Sequence, residues 1–169
     1  MALLVRLDGP GPILFIQRRY GFNREPFGIV KFRTMAAMED DAQLISATRF
    51  DPRVTRVGAV LRRASIDELP QLLNVLAGDM SLVGPRPHAI AHDQRYEGRI
   101  ARYARRHNVK PGITGWAQVC GLRGEIVGED KMRRRVEHDL YYIDNWSLWL
   151  DLKIIAMTIL SPKTHSDAY

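Results

Sequence analysis

The stretch from Arg62 to Gly78, Arg-Arg-Ala-Ser-Ile-Asp-Glu-Leu-Pro-Gln-Leu-Leu-Asn-Val-Leu-Ala-Gly, limits what the chain can fold into more than any other. Pro70 has no backbone N–H and its ring crowds the preceding turn, so a helix through this stretch either bends at Pro70 or starts there. Leu69, Leu72, Leu73 and Leu76 recur at helical spacing and predict a face anchored in the core, with Gly78 as the stop. Ahead of the proline, Ser65 and Glu68 fit the S-x-x-E capping box, in which a hydroxyl and a carboxylate satisfy free N–H groups at a helix start. Asp67 then falls in the first turn, where the helix dipole favours an ionised carboxylate. A cap does not require a second carboxylate or the arginine pair Arg62-Arg63. Two readings therefore stand, a folding signal and a reaction centre.

Charge narrows the choice of partner. The chain of 169 residues carries a formal charge of +6, which favours an anionic partner: nucleic acid, a phosphorylated small molecule or an acidic membrane surface. Nucleic acid is not expected, because there is no recognised binding motif and no regular interleaving of aromatic with basic residues. One cysteine, Cys120, excludes an internal disulfide framework, and no Cys/His cluster has zinc spacing. No apolar run reaches the roughly 18 residues of a membrane-spanning helix. Met1 to Arg6 is too short for a secretory signal.

The remaining segments predict an α+β fold, a mostly helical single domain with a small N-terminal β-hairpin. After the Gly9-Pro10-Gly11-Pro12 turn, Ile13 to Gln17 reads as one strand and Phe27 to Met35 as a second, with Tyr20 to Pro26 as the loop. Alternation places Lys31 and Arg33 on one face, either a phosphate clamp or an edge strand guarded by lysine. Ala36 to Thr48 predicts an exposed helix and Val57 to Arg63 a short one. In Gly84-Pro85-Arg86-Pro87, the backbone of Arg86 is restricted on both sides, and its planar fork matches phosphate oxygens; a polyproline turn with a solvated arginine is the alternative. Ala89 to His107 predicts a basic helix weakened at Gly98, with most of its arginines solvated. Lys110 to Val119 reads as a turn and a short extended segment, with Trp116 in the core. Glu129 to Asn145 predicts a charged helix in which Arg135 and Asp139 are spaced to pair. The tail from Leu140 to Leu160 sets Tyr141, Tyr142, Trp146 and Trp149 before an aliphatic run, which predicts either an amphipathic helix in a membrane interface or a buried one.

Four of these stretches, in this order, resemble the bacterial sugar transferases, the monotopic polyprenyl-phosphate phosphoglycosyl transferases. They are Lys31-Phe32-Arg33-Thr34-Met35, the run from Asp51 to Pro87 with Ile66-Asp67-Glu68-Leu69-Pro70-Gln71, the stretch Val109 to Gln118, and the tail Asp139 to Ile155. The later ones are most similar to the hexose-1-phosphate branch that primes exopolysaccharide synthesis. The resemblance implies transfer of a hexose 1-phosphate from a nucleoside diphosphate sugar, UDP-glucose or UDP-galactose, to undecaprenyl phosphate with release of UMP. It implies a site at the cytoplasmic face of the bacterial inner membrane, a peripheral or monotopic protein, an anionic membrane surface as partner, and magnesium as cofactor. Asp67 carries over as the nucleophile and Glu68 as its partner, both also candidate metal ligands. Lys31, Arg33, Arg62, Arg63 and Arg86 are the cations available to the donor's phosphates, and Asp139 is a further candidate for substrate or metal contacts. Family members carry an apolar membrane-inserted segment ahead of the Gly9 to Pro12 turn. The expectation here is one catalytic domain over 1–169 without it, of open oligomeric state.

Overall fold

The structure, a computed structural model, describes residues 1–36, 51–124 and 128–160. After a short helix α1 (Ala2–Leu7), strands β1 (Leu14–Tyr20) and β2 (Pro26–Phe32) pair antiparallel from Leu14 opposite Phe32 to Tyr20 opposite Pro26. This is the expected hairpin, with β1 longer and β2 shorter than the alternation suggested. Its loop is a 3-10 turn, Phe22–Arg24, in which Asn23 and Arg24 adopt φ of 52° and 63°. Beyond Ala36, the helix expected up to Thr48 lies outside the described residues.

Helix α2 (Arg56–Arg63) starts where the Thr55 hydroxyl accepts the Gly58 N–H at 3.0 Å. Glycine is required at position 58, because a Cβ there would fall 2.2 Å from the Thr34 carbonyl oxygen at the exit of β2. A 3-10 turn, Ile66–Glu68, and helix α3 (Gln71–Ala77) follow, with Gly78 closing α3 at φ 87°. The helix therefore starts after Pro70 instead of bending there. The capping box does not form: Ser65 is left-handed at φ 57° and caps nothing, its Oγ accepting instead from Arg123 Nη1 at 2.9 Å.

Helix α3 is turned inside out relative to the expectation of a leucine-anchored helix. Leu69, Leu72, Leu73 and Leu76 are 52%, 44%, 56% and 85% exposed, whereas Gln71 and Asn74 are 0% and 4% exposed. The Asn74 amide accepts the Val30 N–H at 3.0 Å and donates to the Gly28 carbonyl at 2.8 Å, supplying the edge of β2 with the pairing a third strand would give. Helical spacing determines which residues share a face, and the polar strand edge decides which face turns inward.

Two further strands, β3 (Ser81–Val83) and β4 (Gly112–Thr114), form a small parallel sheet that the sequence pattern did not announce. The chains leave it in close approach, since a Cβ at Gly112 would meet Gly84 N at 2.1 Å and one at Gly115 the Gly84 carbonyl at 2.2 Å. Between these strands the expected Ala89 to His107 helix is broken. Helix α4 (Ile90–Glu97) ends at Gly98, Arg102 turns left-handed at φ 61°, and a 3-10 segment (Tyr103–Asn108) follows. Trp116–Val119 forms a helical turn, α5, where an extended segment was expected.

The expected charged helix is α6 (Gly128–Asp144), and the tail breaks before α7 (Leu148–Leu160). The corner is tied by Asp151, which accepts from Tyr142 Oη at 2.8 Å and Trp146 Nε1 at 3.2 Å. Two apolar cores result among the described residues. One joins Tyr96, Ile100 and Tyr103 to Met132 and Val136; the other joins Val83 and Val119 to Tyr142 and Ile154, with Trp116 packed against it. Ile154 is buried on α7, while Leu148, Trp149, Leu152, Ile159 and Leu160 are exposed. Among the described residues no helix is long and apolar enough to cross a membrane.

Candidate active site

The 3-10 turn ahead of Pro70 buries both carboxylates of the pair, leaving Asp67 7% and Glu68 6% exposed. They are treated very differently. Glu68 accepts both arms of the Arg86 fork, with Nη1 on Oε2 at 2.9 Å and Nη2 on Oε1, and Lys31 Nζ approaches Oε1 at 3.4 Å. Asp67 Oδ1 is buried with no hydrogen-bond partner among the described residues.

This asymmetry divides the charge. Burial opposes ionisation of Glu68, but the charges of Arg86 and Lys31 and the Arg86 hydrogen bonds outweigh it and hold the carboxyl well below the usual range. Burial raises Asp67, the adjacent Glu68 charge raises it further, and Lys31, Arg86 and Arg62 oppose both. Burial likewise lowers Lys31, whereas for Arg86 the Glu68 contact overcomes burial and strengthens the cation. The pair therefore offers one firmly anionic carboxylate locked in a fork and one less acidic carboxylate with an open oxygen.

Arg86 is held at three levels. Its loop springs from the β3–β4 crossing, where Gly84 N donates to the Thr114 carbonyl at 2.9 Å and Gly112 N to the Pro85 carbonyl at 3.0 Å. Its own carbonyl accepts from Arg106 Nη2 at 2.6 Å, and its side chain grips Glu68. The rigidity inferred from the flanking prolines is thus supplied largely by neighbouring segments.

Other expected site residues are distributed unevenly. Arg62 donates through Nε to Thr34 Oγ1 at 2.8 Å, and its charge acts on Asp67; Arg63 is exposed. Arg33 does not converge with Lys31. Its guanidinium donates to the carbonyls of Val5, at 3.0 Å, Gly9, at 2.7 Å, and Pro10, tying the N-terminal turn to the strand exit. The physical reason is that three N-terminal carbonyls claim the guanidinium, although the Arg33 N–H still donates to the Ile13 carbonyl at 2.9 Å. Asp139 is 2% exposed and paired with Arg106 at 2.9 Å, behind the Arg86 loop and apart from the carboxylate pair. Nor does it pair with Arg135, which donates to the carbonyls of Leu122 and Gly124 at 2.9 and 3.1 Å.

Two residues of this region escaped the sequence reading. Arg123 holds Ser65 Oγ and lies close enough to Glu68 for its charge to favour the carboxylate. No sequence signal fixed its place: Gly121 and Gly124, at φ 82° and 83°, permit turns near it but do not restrict its backbone as flanking prolines do. Arg106 is buried, whereas Arg95, Arg99 and Arg102 in the same basic segment are exposed, and no local pattern separates it from them.

Among the described residues no three His, Cys, Asp or Glu side chains cluster as a metal site. Magnesium keeps several waters and binds through one or two carboxylates completed by substrate phosphates. Asp67, with its open buried oxygen, fits such an ion when a diphosphate supplies the remaining ligands, whereas both Glu68 oxygens are engaged by Arg86 and Lys31.

The bacterial sugar transferase family model matches residues 1–164. The chain is 53% identical over its whole length to the UDP-glucose:undecaprenyl-phosphate glucose-1-phosphate transferase of Escherichia coli, covering 36% of that protein. It is 56% identical over 99% of its length to the protein of the same name from Caulobacter vibrioides, covering 63%. It is 47% identical to the exopolysaccharide production protein PSS of Rhizobium leguminosarum, covering 86% of that protein and all of this chain. The chain thus spans between about a third and two thirds of the first two relatives and most of the third.

Proposed function

The chain belongs to the bacterial sugar transferase family, and from that membership we propose that it transfers glucose 1-phosphate from UDP-glucose to undecaprenyl phosphate, releasing UMP. The nucleotide, the sugar and the lipid come from the names of its relatives, and a place in exopolysaccharide production from the third of them. The observation that carries the chemistry is the unequal carboxylate pair, Glu68 locked between Arg86 and Lys31 beside Asp67 with its buried open oxygen.

The reaction runs as two displacements at one phosphorus. An Asp67 carboxylate oxygen attacks the phosphorus that bears the sugar, and the bond from that phosphorus to the oxygen bridging it to the α-phosphate breaks. UMP leaves with the bond's electron pair, and the sugar phosphate stays on Asp67 as an acyl phosphate ester. An oxygen of undecaprenyl phosphate then attacks the same phosphorus, the ester bond breaks, and the Asp67 carboxylate is regenerated. Because an anion attacks an anion, the cations around Asp67 carry the catalytic burden. Arg86, Lys31, Arg62 and Arg123 surround the pair electrostatically, and Glu68 keeps Arg86 and Lys31 in place. Magnesium, held by Asp67 together with donor phosphates, would add charge neutralisation at the diphosphate.

The acceptor is a lipid, and the surface suits it. Apolar side chains are exposed on α1, α3 and α7, among them Leu7, Leu76 and Trp149. Together with the positive net charge they support docking on the anionic cytoplasmic face of the inner membrane, α7 lying in the interface. The test is UMP release from UDP-glucose with undecaprenyl phosphate in bilayer nanodiscs with magnesium. Wild type turns over, and Asp67→Asn loses at least about 1000-fold. Near-wild-type turnover of folded Asp67→Asn would remove Asp67 from the chemistry.

A further inference from the structure

Behind the Arg86 loop lies a buried polar cluster that the displacement chemistry does not use. Arg106, from the 3-10 segment, donates to Asp139 Oδ2 on α6 through Nε at 3.2 Å and Nη2 at 2.9 Å. The same Nη2 donates to the Arg86 carbonyl at 2.6 Å, and Nη1 stands 2.8 Å from His88 Nδ1, which must accept because arginine can only donate. Arg106 thus clamps the loop on both sides of Pro87. The clamp is itself braced, for Tyr103 Oη donates to Asp93 Oδ1 at 2.8 Å and the Arg106 guanidinium lies over the Tyr103 ring.

A loop with proline on each side of Arg86 lacks the N–H groups with which a strand or turn would anchor it. The carbonyls of Pro85 and Arg86 are therefore the handles on the peptides either side of Arg86: Gly112 N holds the first at 3.0 Å, and freeing the second lets the Arg86–Pro87 peptide turn and shifts where the side chain meets Glu68. Arg106 holds the second handle, and Asp139 fixes the plane of the Arg106 fork. We propose that Asp139 and Arg106 are positioning residues for the transfer reaction, setting where the Arg86 guanidinium meets Glu68 and the donor's phosphates. This rests on the reading of Asp67, Glu68 and Arg86 as the reaction centre. It also gives Asp139 a role at one remove from substrate, through Arg106 and Arg86.

The test is a pair of double-mutant cycles on UMP release, with kcat expressed per folded molecule by thermal melting at the assay temperature. Asp139→Asn removes the charge that orients the fork, and Arg106→Lys keeps a cation but cannot hold Asp139, His88 and the Arg86 carbonyl at once. Displacing a positioning group by about 1 Å costs on the order of 100-fold, so each variant should lower kcat by about 30- to 100-fold with KM for UDP-glucose within about threefold. In an Arg86→Lys background, which has no fork left to aim, each should cost less than about threefold. Equal losses in both backgrounds, or unchanged kcat in either folded single variant, would overturn the proposal. If Asp139→Asn fails to fold, the Arg106→Lys cycle decides, and loss of folding in both would make the cluster scaffold and overturn it too. Wild-type turnover is measured first, so that failure of the reaction itself is seen separately from failure of the positioning.

Discussion

Replacing Leu73 and Leu76 by serine separates the observed orientation of α3 from the one its leucine spacing suggests. Fully burying a leucine is worth about 1.5–3 kcal/mol. Leu73 is 56% and Leu76 85% exposed, so transferring their free surface from water to lipid is worth about 2–4 kcal/mol together. If α3 faces the bilayer, Leu73→Ser/Leu76→Ser weakens partition onto phosphatidylglycerol-containing vesicles by roughly 30- to 700-fold. Folding should hardly change, because exposed substitutions stay within about 0.5 kcal/mol each. Vesicle flotation measures the first quantity and thermal melting the second. A fall in melting temperature of about 10 °C or more would mean the leucines are core residues after all, since buried leucine truncations cost about 2–5 kcal/mol each. Unchanged vesicle binding by a folded variant would show that this face does not meet lipid.

Arg86→Ala strips Glu68 of both fork hydrogen bonds and leaves a carboxylate buried beside Lys31, which should cost about 3 kcal/mol and lower the melting temperature by about 6–12 °C. Because Glu68 is more acidic folded than unfolded, that stability is present above its ordinary value of 4.5 and is lost as pH falls through the lower folded value. The gap between wild type and Arg86→Ala should therefore close on acidification; an equal gap at acid and neutral pH would refute the ion pair as its source. Asp67 has the opposite sign. Its folded form holds its proton above 3.8, so native stability declines as pH rises from there through the folded value, and Asp67→Asn should melt higher than wild type at pH 7. A lower melting temperature for Asp67→Asn would contradict the strained pair.

Where local chemistry decided the structure, the sequence was legible. The hairpin, the α2 helix and the stop at Gly78 follow from alternation, spacing and glycine. The meeting of Lys31, Arg86 and the Asp67-Glu68 pair was legible only through the family resemblance, since the residues by themselves left each an alternative structural role. Legibility ended where distant segments choose between equivalent local options. The face of α3 was decided by the edge of β2 through Asn74, and the conformation of Ser65 by Arg123 across 58 residues of chain. The partner of Asp139 was decided in the same way: Arg135 is four residues away on the same helix, but Arg106 reaches it from another segment. Helical spacing shows which side chains could pair and says nothing of a stronger competitor arriving from elsewhere.

Intact-protein mass spectrometry reads out whether Asp67 holds the sugar phosphate between two displacements. The protein is mixed with UDP-glucose and magnesium without lipid acceptor, quenched and weighed. The expected result is a mass increase of one hexose phosphate, mapped to Asp67, absent from Asp67→Asn and discharged on adding undecaprenyl phosphate. An enzyme that turns over with no such adduct, or an adduct on another residue, would contradict it.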